Sequence, residues 1–413
     1  MYKKNVVIGA GITGLSFANE IKREDYIIIE KENSAGGYCR TIKKDGFVWD
    51  YAGHFFHFNN KKLEIEFTEK VKKFSEIHTV VKKTKIYYKG NLIDFPFQQN
   101  IHQLPFEEFI DCLYDLVVDK PNNVQSFKDM LIANYGNAIA SKFLIPYNEK
   151  LYACDVSELD VNSMGRFFPH SNIKDIILNF KNSNNTSYNN TFIYPKEGAE
   201  SFVKVLLEET NKNILFNEEL INIDTIKKEI HTKNYIINYS NLISTIPFNL
   251  LLNKVGINEN NKVWNYNKVV VFNLGFDLKS NNDMHWCYFS SNEQVFYRVG
   301  FYDNILSLGK MSLYVEVGLK PDDEVNEELL LKEILNNLAD VGIIEKHNLV
   351  SHSMIVMNPA YVHITEESKM QFEKLSFELE KESVYTIGRY GKWTYNSIED
   401  NIIDARLLAK RLS

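Results

Sequence analysis

Asn5-Val-Val-Ile-Gly-Ala-Gly-Ile-Thr-Gly14 opens the chain as a short apolar strand that runs into a glycine-rich turn. A helical stretch follows, and a second apolar strand, Tyr26–Ile29, ends in Glu30. Glycines in such a turn let the backbone approach a pyrophosphate, which the amides and positive dipole end of the next helix favour. Glu30 stands 21 residues after Gly9, about where a carboxylate binds a ribose 2′-hydroxyl. The stretch therefore predicts a Rossmann-like dinucleotide-binding domain of the α/β class.

Composition narrows the class of protein. The chain has 413 residues, of which 44% are hydrophobic, so it is long enough for two or three domains. Its net charge of −7 disfavours a general nucleic-acid binder, which is usually basic. No signal peptide and no bilayer-length apolar run is apparent, so we expect a cytoplasmic protein without membrane insertion. The cysteines form no CxxC pair, and we predict neither a disulfide framework nor a metal site.

Hydrophobic periodicity divides the chain into three parts. We expect a discontinuous dinucleotide-binding domain built from residues 1–60, 191–260 and 350–413. A helical insert is predicted for 104–175, where apolar residues recur at helical spacing. An antiparallel-sheet substrate domain is predicted for 61–103 and 261–349, where aromatic residues alternate along strand-like runs.

Several segments together resemble a known flavoenzyme superfamily. The glycine fingerprint with Gly36-Gly-Tyr-Cys-Arg40, and the tail Gly388-Arg-Tyr-Gly391, resemble the FAD-dependent amine oxidases and protoporphyrinogen oxidases. More specific segments resemble UDP-galactopyranose mutase, in its eukaryotic-type branch. These segments are Asp50-Tyr-Ala-Gly-His54, Phe95-Pro-Phe-Gln-Gln-Asn-Ile101, Pro146–Tyr152 with Gly165-Arg166, Asn189–Pro195, Trp286–Phe289 with Phe296-Tyr-Arg298, Ala360-Tyr361, and Trp393-Thr-Tyr395.

The resemblance implies a set of site residues. Residues implied to bind FAD are Gly9, Gly11, Gly14, Glu30, Gly37, Arg40, Gly53, His54, Gly388, Arg389, Asn396 and Asp400. Residues implied to bind a nucleotide sugar are Phe95, Phe97, Gln98, Asn148, Tyr152, Asn189, Trp286, Tyr288, Arg298, Tyr361 and Tyr395. His54, Arg166 and Arg298 are implied to be catalytic: His54 lies against the flavin, Arg166 steadies the pocket, and Arg298 binds the diphosphate.

The residue types suit that ligand. A guanidinium such as that of Arg298 can fork onto phosphate oxygens, and the hydroxyls of Tyr361 and Tyr395 can donate to the same group. Aromatic faces suit a flat uracil. The resemblance implies reduced FAD as the catalyst, with attack of the flavin N5 on the anomeric carbon, and NAD(P)H as a candidate reductant. The implied reaction interconverts UDP-galactopyranose, or a related UDP-sugar, and its furanose form for a surface polysaccharide.

Alternative interpretations stay open at this point. Core packing would also explain Tyr361 and Tyr395, because the chain has 23 tyrosines. The main functional rival is an oxidoreductase of the amine, protoporphyrinogen or carotenoid oxidase type, which needs no diphosphate clamp. A flavin-binding protein with degraded activity is a third hypothesis. The sugar, the nucleotide, the reductant and the formation of a homo-oligomer are left open by the sequence.

Overall fold

The computed structural model describes residues 1–21, 25–118, 123–181, 190–257 and 263–413. Its strands, in chain order, are β1 Tyr2–Ile8, β2 Tyr26–Ile29, β3 Thr41–Lys44, β4 Phe47–Asp50, β5 Ile77–Val81, β6 Thr84–Tyr88, β7 Asn91–Asp94, β8 Thr191–Pro195, β9 Ile214–Leu215, β10 Leu220–Asp224, β11 Glu229–Thr232, β12 Ile236–Ser244, β13 Tyr266–Phe276, β14 Trp286–Phe289, β15 Arg298–Phe301, β16 Ser312–Leu319, β17 Leu349–Val362 and β18 Val384–Thr386.

Helices alternate with these strands. They are α1 Ile12–Glu20, α2 Lys61–Val71, α3 Phe106–Val117, α4 Phe127–Ile139, α5 Ile145–Tyr152, α6 Ile173–Asn179, α7 Glu200–Thr210, α8 Phe248–Lys254, α9 Tyr302–Leu306, α10 Glu327–Asp340, α11 Glu366–Lys381, α12 Gly388–Gly391 and α13 Ile398–Leu412. Among the helices so described, none is long and apolar enough to cross a bilayer.

The first sheet has the order β10-β11-β12-β1-β2-β9, with β18 paired to β12. β1 is parallel to both β2 and β12, so the carboxyl ends of these strands meet at one edge. All four residues of β2 are buried, as is usual in a parallel sheet whose two faces are both covered by other elements. One face packs against α1, α7 and α13, and the other against α8 and α11. This arrangement is the predicted Rossmann-like layer.

The second sheet has the order β17-β13-β16-β15-β14-β6-β7 and is antiparallel except for the β14–β6 pair. One of its faces packs on a core that includes α3, α4 and α5, the predicted helical part of the chain. The other face is covered by α10. As a result, β15, β16 and the end of β17 lie beside helix α5.

Two predicted domain boundaries differ from the structure. Residues 61–71 form α2, whose Leu63, Phe67 and Val71 are buried in the core of the first sheet, whereas we expected them in the substrate domain. Their i, i+4, i+8 spacing gives α2 a single apolar face, which packs beside α7. β17 belongs to the second sheet because it pairs with β13 along most of its length. Residues 350–362 therefore belong to the second sheet, whereas we expected them in the dinucleotide-binding domain.

Candidate active site

The glycine turn lies between β1 and α1. Gly9 has a φ of +99°, a region that favours glycine. A Cβ on Gly14 would lie 2.0 Å from the Gly9 carbonyl oxygen, so only glycine fits that close approach. A Cβ on Gly11, the residue that precedes α1, would meet no atom within 4 Å. The turn thus leaves open space at the amide end of a helix, as a pyrophosphate requires.

Glu30 lies beside this turn, at the end of β2. Its side chain is buried, and the carboxylate accepts hydrogen bonds from the Ala10 amide at 2.7 Å and the Glu32 amide at 2.9 Å. A carboxylate has further acceptor positions beyond these two. Glu30 is therefore a buried carboxylate beside the glycine turn that retains acceptor capacity.

The Gly36-Gly37 segment closes over the same turn. The Gly36 amide donates to the Ala10 carbonyl at 2.8 Å, and a Cβ on Gly37 would lie 3.6 Å from the Cα of Gly11. Arg40 folds back so that its Nε donates to the Gly37 carbonyl at 2.9 Å, while its guanidinium lies 4.6 Å from the Tyr51 ring centroid. Arg40 is thus a cation beside the proposed pyrophosphate site.

The C-terminal tail returns to the first turn of α1. Gly388 has a φ of +87°, and a Cβ there would lie 2.8 Å from the Oγ1 of Thr13. Arg389 follows, and two of its nitrogens contact the carbonyls of Asn396 and Ala360 at 3.5 Å. The tail and the fingerprint, which are far apart in sequence, therefore form one region.

Arg389 joins this region to a cluster of tyrosines. Its guanidinium lies 4.3 Å from the ring centroid of Tyr395 and 5.1 Å from that of Tyr361. The Tyr361 and Tyr395 rings stack at 5.9 Å, and Tyr152 meets Tyr361 edge-on at 5.7 Å. The Nε of Arg389 is buried and has no hydrogen-bond partner in the described part of the chain, which leaves one N–H donor for a ligand.

A second guanidinium, that of Arg298 on β15, lies close to the same tyrosines. Its Nε and Nη2 donate to the Glu316 carboxylate at 2.8 and 2.5 Å, and the Tyr297 hydroxyl donates to that carboxylate at 2.6 Å. Glu316 is 1% exposed, so the pair lies in a region of low dielectric. Burial raises the pKa of Tyr361, and the charges of both Arg298 and Arg389 oppose that larger rise, so both cations lie near this tyrosine.

Aromatic side chains continue from Arg298 along β14. The Trp286 Nε1 donates to the Tyr288 hydroxyl at 3.0 Å, and Tyr288 meets Phe95 at 5.3 Å and Tyr147 at 5.1 Å. Burial raises the pKa of Tyr288, and the charge of Arg298 opposes that rise. The predicted base-binding residues Phe95, Trp286 and Tyr288 are therefore neighbours of the predicted diphosphate arginine.

His54 lies in the loop after β4, within the electrostatic range of these charges. Its Nδ1 donates to the Ala52 carbonyl at 3.1 Å, since a carbonyl can only accept, and Nε2 is then the acceptor nitrogen of a neutral ring. Burial lowers the pKa of His54 to about 4, so the ring is neutral at pH 7. The neighbouring Gly53 lies against Tyr314, whose hydroxyl would be 2.6 Å from a Cβ at that position.

Two residues of the predicted base-binding segment lie in the core instead. Phe97 is fully buried and stacks on Phe143 at 5.0 Å, so the structure does not bring its ring to the site. Gln98 is also fully buried, and its amide nitrogen donates to the Pro169 carbonyl at 2.5 Å. Its Oε1 has no partner among the described residues. Apolar packing against α4 and the following segment has overridden the proposed contact of Phe97 with a ligand.

The remaining predicted site residues lie in different surroundings: one is buried on α5, two form an ion pair at a cavity, and one is outside the described ranges. Asn148 on α5 is buried, and its Nδ2 donates to the Leu144 carbonyl at 2.7 Å while its Oδ1 is unpartnered within the described ranges. The Nη2 of Arg166 donates to both carboxylate oxygens of Asp400, at 2.7 and 2.8 Å. Arg166, Asp400, Tyr395 and Asn396 line a cavity of about 700 Å³. Asn189 lies outside the described residues.

Sequence reasoning missed Glu316, Tyr147 and Tyr314. Glu316 is the cross-strand partner of Arg298 on β16, and it is the one acidic residue in the otherwise apolar run Ser312–Leu319. That isolated charge was a readable signal of a buried ion pair. Tyr147 and Tyr314 had no comparable signal, because their roles depend on how helix α5 and the strands of the second sheet pack together.

Comparison with known proteins bears on this geometry. Residues 7–67 match the family described as NAD(P)-binding Rossmann-like domain. Coproporphyrinogen III oxidase of Staphylococcus aureus is 24% identical over 331 residues, which are 69% of this chain and 70% of that protein. Protoporphyrinogen oxidase 1 of Spinacia oleracea is 20% identical over 173 residues, which are 38% of this chain but only 30% of the plant protein.

Solved structures share the whole architecture. A reduced UDP-galactopyranose mutase aligns with a TM-score of 0.92 and 23% identity, covering 100% of this chain and 94% of that one. A putrescine oxidase aligns with a TM-score of 0.67 and 13% identity, covering 100% and 99%. At these identities the likeness shows the fold, and it confirms the predicted Rossmann-like α/β architecture.

Proposed function

We propose that this chain is a flavin-dependent nucleotide-sugar mutase that interconverts UDP-galactopyranose, or a closely related UDP-sugar, and its furanose form. The observation that carries the proposal is a pair of partly buried guanidinium groups, Arg298 and Arg389, whose charges both act on Tyr361. A diphosphate needs cations and hydroxyl donors at one place. An amine substrate would be repelled by the same charges.

The residues around the glycine turn fit FAD. Gly14 admits a close approach that a Cβ would fill, Gly11 leaves open space at the start of α1, and Glu30 and Arg40 offer an acceptor and a cation beside them. Arg389 carries an unpartnered buried N–H within the described residues, where the tail meets the cluster. Reduced FAD, when bound, supplies a nucleophilic nitrogen for the anomeric carbon.

The protein side chains would hold the diphosphate as it departs and returns. Arg298 is neutralised by Glu316, whereas Arg389 makes no ion pair within the described part of the chain, so Arg389 gives the cluster its net positive charge. Burial raises the pKa of Tyr361, so its hydroxyl stays protonated and can donate. Donors that are already in place stabilise developing charge without reorganisation.

His54 contributes a neutral ring in a fixed tautomer. Because Nδ1–H is committed to the Ala52 carbonyl, Nε2 can accept a hydrogen bond but carries no charge at pH 7. Because His54 is neutral, it adds nothing to the net positive charge that Arg389 gives the site. We propose that His54 orients its hydrogen-bonding partner rather than transferring a proton.

The aromatic residues on β14 would receive the base. Trp286, Tyr288 and Phe95 offer ring faces and edges, and the Lys82 ammonium lies 5.2 Å from the Phe95 ring centroid and 5.9 Å from that of Trp286. Gln98 and Phe97 are not part of this proposal. A furanose product would serve the assembly of a surface polysaccharide, and kinship with the eukaryotic-type branch remains a prediction from sequence motifs.

The direct test is turnover by purified protein that contains flavin. The dithionite-reduced protein is incubated with UDP-galactofuranose or UDP-galactopyranose, and the two sugars are separated by chromatography. We expect interconversion by the reduced protein and none by the oxidised protein, which serves as the matched control. No interconversion of any UDP-hexose by the reduced protein would overturn the proposal.

A second candidate is an oxidase of the porphyrinogen type. It is favoured by the likeness to coproporphyrinogen III oxidase over 69% of the chain. Oxygen consumption and hydrogen peroxide release with coproporphyrinogen III, with no affinity for UDP, would support this candidate instead. The two partly buried guanidinium groups favour the mutase over this candidate.

A further inference from the structure

The C-terminal end of α5 is attached to the second sheet through its last carbonyl groups. α5 carries Asn148 and Tyr152 and ends at Ala153, whose backbone is left-handed. The last four carbonyls of a helix have no partner within the helix. Here the Leu151 carbonyl accepts from the Nδ2 of Asn267 at 2.6 Å, and the Tyr152 carbonyl accepts from the Nε2 of His363 at 2.9 Å.

Asn267 has a second bond, which reaches a residue of the proposed site. It is fully buried on β13, opposite Tyr361 on β17, and its Oδ1 accepts from the backbone amide of Tyr361 at 2.8 Å. The β13–β17 register shifts just after this pair, between Asn267 and Val269. One side-chain amide therefore connects the end of α5 to the backbone of Tyr361.

A third contact sets how closely α5 approaches the sheet. A Cβ on Gly318 of β16 would lie 2.2 Å from the Lys150 carbonyl oxygen, so glycine lets the end of the helix rest on the strand. The Lys150 ammonium donates to the carbonyls of Ser291, Gln294 and Phe296 at 2.7–2.8 Å, on the segment that leads to Arg298. The end of α5 is thus fixed at several independent points.

We propose that Asn267 is a positioning residue of the site: its amide sets the place of Tyr361 relative to Tyr152 and hence the shape of the diphosphate pocket. The inference rests on the proposed function. A primary amide offers a donor and an acceptor on one short planar group, which matches the Leu151 carbonyl and the Tyr361 amide. His363 supports the same helix end from the residue that follows β17, as a neutral ring that donates through Nε2.

The test compares Asn267→Asp with a matched control. Aspartate keeps the acceptor for Tyr361 but replaces the donor to Leu151 by an oxygen, so the helix end must move. The control is Asn5→Asp, which also introduces a carboxylate at a buried asparagine of a central strand, in the first sheet. Flavin content, the affinity for UDP by calorimetry, and kcat and KM for UDP-galactofuranose are measured on flavin-loaded protein.

We expect Asn267→Asp to keep its flavin, to bind UDP about 10-fold more weakly, and to lose about 100-fold in kcat/KM, the order that a misplacement near 1 Å produces. Asn5→Asp should keep the wild-type dissociation constant for UDP. Calorimetry separates two causes of weaker binding. A smaller folded fraction lowers the number of UDP sites per protein, whereas a misplaced Tyr361 raises the dissociation constant for UDP. If Asn267→Asp does not fold, His363→Leu takes its place and is expected to weaken UDP binding. His363→Gln should bind UDP like the wild type, because its amide can donate to the Tyr152 carbonyl as His363 does.

The outcomes separate this inference from the proposed function. In one outcome the wild-type protein binds UDP and turns over, and Asn267→Asp has the same UDP dissociation constant and kcat/KM as Asn5→Asp. This outcome would overturn the positioning role alone. The same holds if Asn267→Asp does not fold and His363→Leu binds UDP like the wild type. Wild-type protein that neither binds UDP nor turns over would overturn the proposed function, and the positioning role with it.

Discussion

The buried Arg298–Glu316 pair gives the sharpest quantitative prediction. Glu316→Gln keeps the shape of the side chain but removes its charge. It also replaces one carboxylate oxygen, which accepts a hydrogen bond from Arg298 or Tyr297, by an NH₂ group that can only donate. Removing one partner of a buried ion pair costs about 3–5 kcal/mol. Because the Arg298 side chain keeps 21% exposure, water offsets part of the loss. We therefore expect the lower end, a fall of about 3 kcal/mol in the free energy of unfolding.

The assay is urea unfolding of flavin-loaded protein, followed by circular dichroism. Glu197→Gln is the matched control, since it neutralises one partner of the exposed Lys43–Glu197 pair and should cost less than about 1 kcal/mol. The double variant Arg298→Met with Glu316→Leu should recover part of the loss, because no charge is then left unpaired, although the buried Tyr297 hydroxyl loses its acceptor. A change below about 1 kcal/mol in Glu316→Gln would refute the view that this carboxylate compensates a buried arginine.

Three further outcomes follow from the same geometry. Arg298→Ala should weaken UDP binding by about 2 kcal/mol, roughly 30-fold, and leave flavin bound; equal UDP affinity by calorimetry would remove Arg298 from the diphosphate site. Gly14→Ala should yield protein without flavin absorbance, because its Cβ would lie 2.0 Å from the Gly9 carbonyl; normal flavin content would contradict that. The folded-state pKa of His54, about 4, is below its unfolded value of 6.5, so its stabilising effect is present above pH 6.5 and is lost towards pH 4. Urea melts at pH 7 and at pH 5 give the fall in the free energy of unfolding between the two pH values, and this fall should be smaller for His54→Gln than for the wild type. An equal fall would argue against a buried neutral ring.

Features that are local in sequence were predictable, and those set by tertiary packing were not. Gly9, Gly14 and Glu30 were readable because a strand, a tight turn and a helix N-terminus follow one another along the chain. Phe97 was misread because an aromatic residue in an apolar segment suits a core and a binding pocket equally well. Glu316 was missed because its link to Arg298 depends on the register of two antiparallel strands.

The same reasoning explains the boundary errors. The apolar stripe of α2 predicts a helix but cannot say which sheet the helix covers, and the choice is made by Phe202 and its neighbours on α7. β17 precedes the tail in sequence, yet its pairing partner is β13. The role of Asn267 belongs to this class too, since its two partners lie 116 and 94 residues away.

In the proposed reaction, a flavin serves a sugar rearrangement with no net redox change. The most direct measurement reduces the protein once with dithionite under anaerobic conditions, removes excess reductant, and adds many equivalents of UDP-galactofuranose. We predict that many equivalents of UDP-galactopyranose form per flavin while the flavin spectrum stays that of the reduced form. Product that stops at one equivalent, flavin that becomes oxidised as product forms, or no product at all would contradict the claim.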